Sequence, residues 1–170
     1  MASHSTIAIM VLFIVILLFY RKHFEGGQDQ TTSAPHSRIQ NVLVKRVVDG
    51  DTIIVSMGEK EKVRLRLIGI DTPETVHPRK PVQPFGKEAS DFTKRSLEGR
   101  WIELELETQT HDRYGRLLAH VWLNGQHFNL KLVEVGLARV MTVGPNRKYE
   151  QVLGQVEQEA RRRRIGMWSA

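Results

Sequence analysis

The 170-residue chain contains no cysteine. It therefore has no disulfide, no thiolate zinc site and no cysteine nucleophile, and its fold must rest on an apolar core. It has no internal repeat, which excludes a repeat architecture. Its histidines form no cluster that would suit a transition metal. Acidic residues are the scarcer charge, 19 against 25 Lys and Arg, for a net charge of +6. A basic balance suits a polyanionic partner such as nucleic acid or an anionic membrane surface, although many basic proteins bind neither. What is present is an ordinary globular composition, 41% apolar and 26% charged. The length allows one domain plus an appendage.

That appendage is N-terminal. Ile7 to Tyr20 is a run of 14 uncharged residues, and 19 when extended back to Ala2. As a helix the longer stretch would span about 28 Å, close to the hydrocarbon thickness of a bilayer. No Lys or Arg precedes the run and no A-x-A-like cleavage site follows it. An uncleaved single-pass anchor through residues 2–20 is the reading preferred over a signal peptide, whose cleavage would instead release a secreted protein. Arg21 and Lys22 on the C-terminal flank would hold the following chain in the cytoplasm. Two charges do not fix the side, which stays open. The expected organisation is an anchor and basic flank at 1–23, a flexible linker at 24–38 and a domain at 39–170.

Within the domain, Asn41 to Val48, Thr52 to Ser56 and Lys62 to Ile70 read as strands. Val63, Leu65 and Leu67 alternate with Arg64 and Arg66, the period-two pattern of a half-buried strand. Met57-Gly58-Glu59-Lys60 makes a turn, and Asp71-Thr72-Pro73 ends the third strand. Lys87 to Leu97 predicts a helix. Trp101 to Glu107 and Leu117 to Leu123 predict strands, the latter followed by the hairpin signal Asn124-Gly125. Phe128 to Val135 predicts a short helix ended by Gly136, Leu137 to Val140 a short strand, and Tyr149 to Arg164 a final helix. The expected fold is mainly β with helices (α+β): a five-stranded OB-fold β-barrel with about three packed helices, plus the N-terminal transmembrane helix.

On this skeleton, Asp51 starts the second strand and Asp71 ends the third. Antiparallel neighbours would bring them to one end of the barrel. Two carboxylates with a backbone carbonyl such as that of Thr72 make a hard oxygen site suited to Ca²⁺, and less well to Mg²⁺. Glu74, in the following loop, could serve as a general base towards a water. Arg66 lies five residues before Asp71, an odd interval that puts the two on opposite faces unless the strand bulges near Gly69. Arg66 and Arg116 would together neutralise a phosphate. Each motif alone has a plainer reading. Asp49-Gly50-Asp51 is a common turn, Asp71-Thr72-Pro73-Glu74 a helix N-cap, Arg66 a solvated strand residue and Tyr114-Gly115-Arg116 a turn.

Together, however, VVDGDTIIV, RLRLIGIDTPE and HDRYGRLLAHVW resemble the staphylococcal-nuclease-like (thermonuclease) family in order and spacing. The likeness runs from about Val44 to Ser169 and includes the terminal GMWS. It implies an OB-fold domain, monomeric in its catalytic part, that cleaves DNA and RNA as a Ca²⁺-dependent phosphodiesterase and endonuclease. It also implies that Asp51, Asp71 and the Thr72 carbonyl hold Ca²⁺, with Asp49 standing behind them. Glu74 would activate water, Arg66 and Arg116 would grip the scissile phosphate, and Arg113 and Tyr114 would line the nucleotide pocket. The loop His77 to Pro81 would lie beside the substrate, whereas Arg161 to Arg164 fits a solvated helix end. One departure stands out. Thr142 and Gly144 occupy positions where the family carries nucleotide-contacting tyrosines. The competing expectation is a non-catalytic OB module that binds nucleic acid or a protein. Such a relative would have lost one of Glu74, Arg66 or Arg116.

Overall fold

The computed structural model describes residues 38–75 and 83–169. The apolar run, the linker up to residue 37 and the loop His77 to Pro81 lie outside these residues. Among the described residues, no helix is long and apolar enough to cross a membrane.

Period-two sequences form the barrel. Strands β1 (Ile39–Asp49), β2 (Thr52–Met57) and β3 (Lys60–Leu67) make an antiparallel meander. After β4 (Gly69–Asp71) and helix α1 (Gly86–Leu97), β5 (Trp101–Glu105) returns to pair with β1. Strand β6 (Leu117–Leu123) pairs antiparallel with β5 and parallel with β3, with Leu65 opposite Leu117. That parallel contact closes a five-stranded barrel of the OB type, an α+β fold with three helices among the described residues. The inward set includes Val44, Ile53, Val55, Leu65, Leu67 and Leu104, all inaccessible to solvent. Helices α2 (Phe128–Glu134) and α3 (Glu150–Arg162) pack on one another at one end, and β8 (Arg139–Met141) runs between them in sequence.

The predicted third strand departs most from expectation. It ends at Leu67 instead of running to Ile70. Gly69 has φ +77, and a Cβ there would stand 2.8 Å from Leu153 Cδ1, so only glycine fits. The chain leaves the barrel at this kink and β4 pairs with β8 instead, Asp71 opposite Arg139. Fully buried Asn129 holds the kink. Its Nδ2 donates to the Ile68 carbonyl at 2.9 Å, and its Oδ1 accepts from the Val121 amide at 2.9 Å. Two smaller differences have simple causes. Asn124 (φ 50) and Gly125 (φ 76) form the expected hairpin, but its return strand β7 (Gln126–His127) is too short to show a period. Arg38, the last residue of the segment read as linker, donates to Glu103 at 3.2 Å and lies 3.6 Å over the Trp122 ring.

Beneath Trp122 lies a buried polar network. His120 bonds Glu107 at 2.6 Å through Nε2 and His127 at 3.1 Å through Nδ1. Glu105 accepts from Trp122 and Tyr149, each at 3.0 Å, and pairs with Lys148. Burial, reinforced by the neighbouring His120, pushes the His127 pKa down to about 3. A histidine held neutral in the fold and free to protonate in the unfolded chain stabilises fully above pH ~6.5. That contribution is lost as pH falls from there towards 3. We therefore expect His127→Gln, read by urea unfolding at pH 7 and 4.5, to flatten the acid loss by up to about 1.4 kcal/mol per pH unit. Parallel stability–pH curves for the two proteins would contradict this.

Candidate active site

The turn between β1 and β2, the kink after β3 and the turn before β6 meet at one mouth of the barrel. They line a single pocket with Asp49, Asp51, Arg66, Asp71, Thr72, Glu74 and Arg116. Arg64 also lines it, a residue that the sequence reading treated only as part of an alternating strand.

Asp51 is the most enclosed of the acids that face Arg66, 7% exposed. Its Oδ2 accepts from the Thr72 amide at 3.0 Å and the Thr72 hydroxyl at 3.1 Å, while Oδ1 accepts from Thr52 at 3.1 Å. This approach requires Gly50, since a Cβ there would lie 2.7 Å from Thr72 Oγ1. Burial raises the Asp51 pKa, against the opposing pull of Arg66 and the Thr72 bonds. Arg66 sits between two carboxylates. Its Nη1 pairs with Asp51 Oδ2, and its Nη2 donates to Asp71 Oδ1 at 3.1 Å. The kink at Gly69 makes this possible by undoing the odd interval that would have separated Arg66 from Asp71.

Asp71 takes a second guanidinium on its other oxygen. Arg139 donates to Oδ2 from Nε at 3.0 Å and Nη2 at 2.8 Å. The sequence did not single out Arg139. It reaches Asp71 only because β8 pairs with β4, and the one local signal was a weak strand pattern.

Asp49 has a different task. Its Oδ1 accepts from the Gly50 amide at 2.8 Å and the Thr75 hydroxyl at 2.6 Å, clamping the loop that carries Glu74. Burial raises the Asp49 pKa, the Thr75 bond opposes it, and the adjacent Glu74 carboxyl adds to the rise. The Glu74 amide in turn donates to Gln83 Oε1 at 3.0 Å. Thr93 of α1 donates to the Gly50 carbonyl at 2.7 Å, which fastens the turn to the helix.

Arg116 is aimed by Asp112, whose carboxylate accepts from the Arg116 Nε at 2.6 Å and from the Arg116 amide at 2.9 Å. Burial pushes the Asp112 pKa up, but the bonds from Arg116 and Tyr114 outweigh it and hold the carboxyl below its usual range. Tyr114 is 68% exposed, with Arg116 5.7 Å and Arg113 4.8 Å from its ring centre. Neither Arg113 nor Tyr114 lines this pocket or the neighbouring cavity. That cavity, about 140 Å³, shares Arg66 and Arg116 with the pocket and is otherwise walled by Ile70, Leu118, Met141 and Val143 among others.

The arrangement has counterparts elsewhere. The profile of the family described as staphylococcal nuclease homologue matches residues 64–170. The thermonuclease of Staphylococcus hyicus is 44% identical over 99% of both chains. That of Staphylococcus intermedius is 42% identical over 96% of both. Endonuclease YncB of Bacillus subtilis is 40% identical over 83% of this chain and 69% of its own. The chain belongs to the staphylococcal nuclease family. It is a nuclease, a hydrolase of nucleic acids, as relatives spanning nearly its whole length indicate.

In this nuclease the donors near Asp51 are hard oxygens, and the cation between its two facing carboxylates is the Arg66 guanidinium. Among the described residues no group of three or more His, Cys, Asp or Glu is placed to hold a metal ion. Any metal here would therefore rest on two carboxylates supplemented by backbone oxygen and water, a set that fits Ca²⁺. Removing the guanidinium leaves two like charges facing each other. We expect Arg66→Gln, unfolded by urea in chelator at pH 7, to lose about 2–4 kcal/mol. A carboxyl whose folded pKa is raised costs stability above that pKa and stops doing so as it protonates. The deficit should therefore shrink as pH is lowered towards 4, and a deficit constant with pH would contradict the assignment.

Proposed function

We propose that this nuclease is a Ca²⁺-dependent endonuclease that hydrolyses DNA or RNA with a water activated by Glu74. The observation that carries this reading is that Asp51, Arg66, Asp71, Glu74 and Arg116 line one pocket. A module that only binds nucleic acid would have no need of the complete set.

Asp51, Asp71 and the Thr72 carbonyl would hold the cation. Ca²⁺, when bound, would supply electrostatic stabilisation to a phosphate oxygen. The remaining work falls to the chain. Glu74 accepts the proton of water as its oxygen bonds to phosphorus and the bond from phosphorus to the leaving oxygen breaks. Arg66 and Arg116 donate to the equatorial oxygens, where charge accumulates, so their attraction is greatest in the transition state. Asp112 keeps Arg116 pointed inward. Asp49 and Thr75 hold the Glu74 loop so that the base does not swing away. The apolar cavity beside the two arginines suits a nucleotide base, and exposed Tyr114 stands beside Arg116. Val143 and Met141 line that side, next to Thr142 and Gly144, so binding there is apolar contact more than ring stacking. The catalytic domain would act as a monomer. Residues 2–20 would tether or export it.

Digestion of single- and double-stranded DNA by the full chain, in Ca²⁺ and in EGTA, tests this. Cleavage should require Ca²⁺. Glu74→Gln should lower kcat by about 10²–10⁴-fold, and Arg116→Gln by about 10²–10³-fold. Calcium-independent cleavage, or full activity in both variants, would overturn the mechanism.

A further inference from the structure

The outer face of β3 carries a row of cations that begins in the catalytic pocket and runs beyond it. Arg66 opens into the pocket, Arg64 stands at its rim, and Lys62 follows two residues further along the same strand. Arg64 and Lys62 are both exposed. Across the sheet, Arg64 lies opposite Ile54 and Ile54 opposite Arg46, so exposed Arg46 shares this outward face. Residues directly paired across strands, and residues two apart along one, present to the same side.

The charge on this face is not neutralised. Arg46, Lys62 and Arg64 form no ion pair with any described residue. Several cations on or beside the helices are matched: Lys87 pairs with Asp91, Lys131 with Glu134, Arg147 with Glu150 and Arg162 with Glu159, all within three or four residues. Even the run Arg161 to Arg164 is partly spent, on Glu157 and Glu159. Other cations, Arg95, Arg100 and Arg163 among them, also lack an ion pair among the described residues; what sets Arg46, Lys62 and Arg64 apart is that they share one outward face that runs into the site of phosphate chemistry.

Charge indicates the ligand. A nucleic-acid strand carries one negative charge per nucleotide, and alternate residues on a β-strand present a repeated row of cations to one side, so the face is complementary to a run of phosphates. Across β2, half-buried Ile54 gives the face an apolar strip between the Arg64 and Arg46 charges.

We propose that Arg64, Lys62 and Arg46 form a phosphate track that holds a nucleic-acid strand on one side of the scissile bond. The track rests on the nuclease reading of the pocket and extends it. It steers and retains the strand, adds nothing to the bond-breaking step, and makes affinity depend on substrate length and salt.

The test is equilibrium binding, read apart from cleavage. Fluorescence anisotropy of a labelled 12-nucleotide single strand is measured in chelator, between about 50 and 200 mM salt. The full chain is compared with Arg46→Gln/Lys62→Gln/Arg64→Gln and with Arg46→Lys/Lys62→Arg/Arg64→Lys. Each phosphate neutralised on a single strand contributes about 0.7 to the slope of log affinity against log salt. The glutamine triple should lower that slope by about 2, so the wild type loses roughly 15–20-fold more affinity over this range than the variant does. The charge-conserving triple should keep the wild-type slope. Thermal unfolding of both variants should match the wild type, since all three side chains are exposed. An unchanged slope in the glutamine triple, or an equal fall in the charge-conserving triple, overturns the track. A wild type that binds with the expected slope but cleaves nothing in Ca²⁺ overturns the catalytic reading and leaves the track standing.

Discussion

The kink at Ile68 and Gly69 is the constraint on which the site depends. On a regular strand, Arg66 and Asp71 would face opposite ways, and the guanidinium would have one carboxylate instead of two. Positive φ at Gly69 turns the chain out of the barrel, and β4 pairs with β8. Asn129, wholly buried, satisfies the carbonyl that the break exposes. Unsatisfied, that carbonyl would cost about 1–3 kcal/mol. A helix residue behind the barrel therefore sustains the geometry of the charged pocket in front of it. Arg139 depends on the same event, since it meets Asp71 only through the strand pair that the kink creates.

The electrostatics are arranged around a cost. Asp49 and Asp51 are buried acids, and burial lifts the pKa of both. Within this structure the cost is offset by hydroxyls, amides and Arg66. Asp49 closes down the loop that bears Glu74, and Asp51 opposes Arg66. Two neighbouring carboxylates of one turn thus divide the labour, one holding a loop and the other facing the centre of the pocket. Elsewhere in the domain the same logic runs with opposite sign. There, burial keeps His127 neutral beside His120, in a network stacked against Trp122 and Tyr149. Several basic residues on or beside the helices are matched locally, whereas Arg46, Lys62 and Arg64 on the face that leads into the pocket are not. An overall charge of +6 is therefore distributed unevenly, and its distribution says more than its sum.

Much of this was legible in the chain. Alternation in VRLRL and WIELE marks strands because a pleated backbone sends successive side chains to opposite faces. Asn124-Gly125 marks a hairpin because both residues tolerate positive φ. Three spaced motifs marked the family and the residues that would share a site. Less was legible where a residue's meaning lies in a remote partner. Arg139 has no local signature, and His120 and His127 read only as two more histidines. The two-residue return strand β7 is shorter than any period. Asp49 read equally well as a turn residue, and its hold on Thr75, 26 positions away, could not be seen.

The amino-acid sequence by itself determined the elements, their order, the glycines at which the chain must turn, and the set of chemical groups available. Those are local matters, decided by backbone sterics and by the period of apolar residues. Only the tertiary structure decided which groups meet. The parallel closure of β3 on β6, the departure of β4 towards β8 and the approach of Gly50 to Thr72 are contacts between distant segments. They are governed by packing and by the need to satisfy buried polar atoms, and neither is written in any short stretch of the chain.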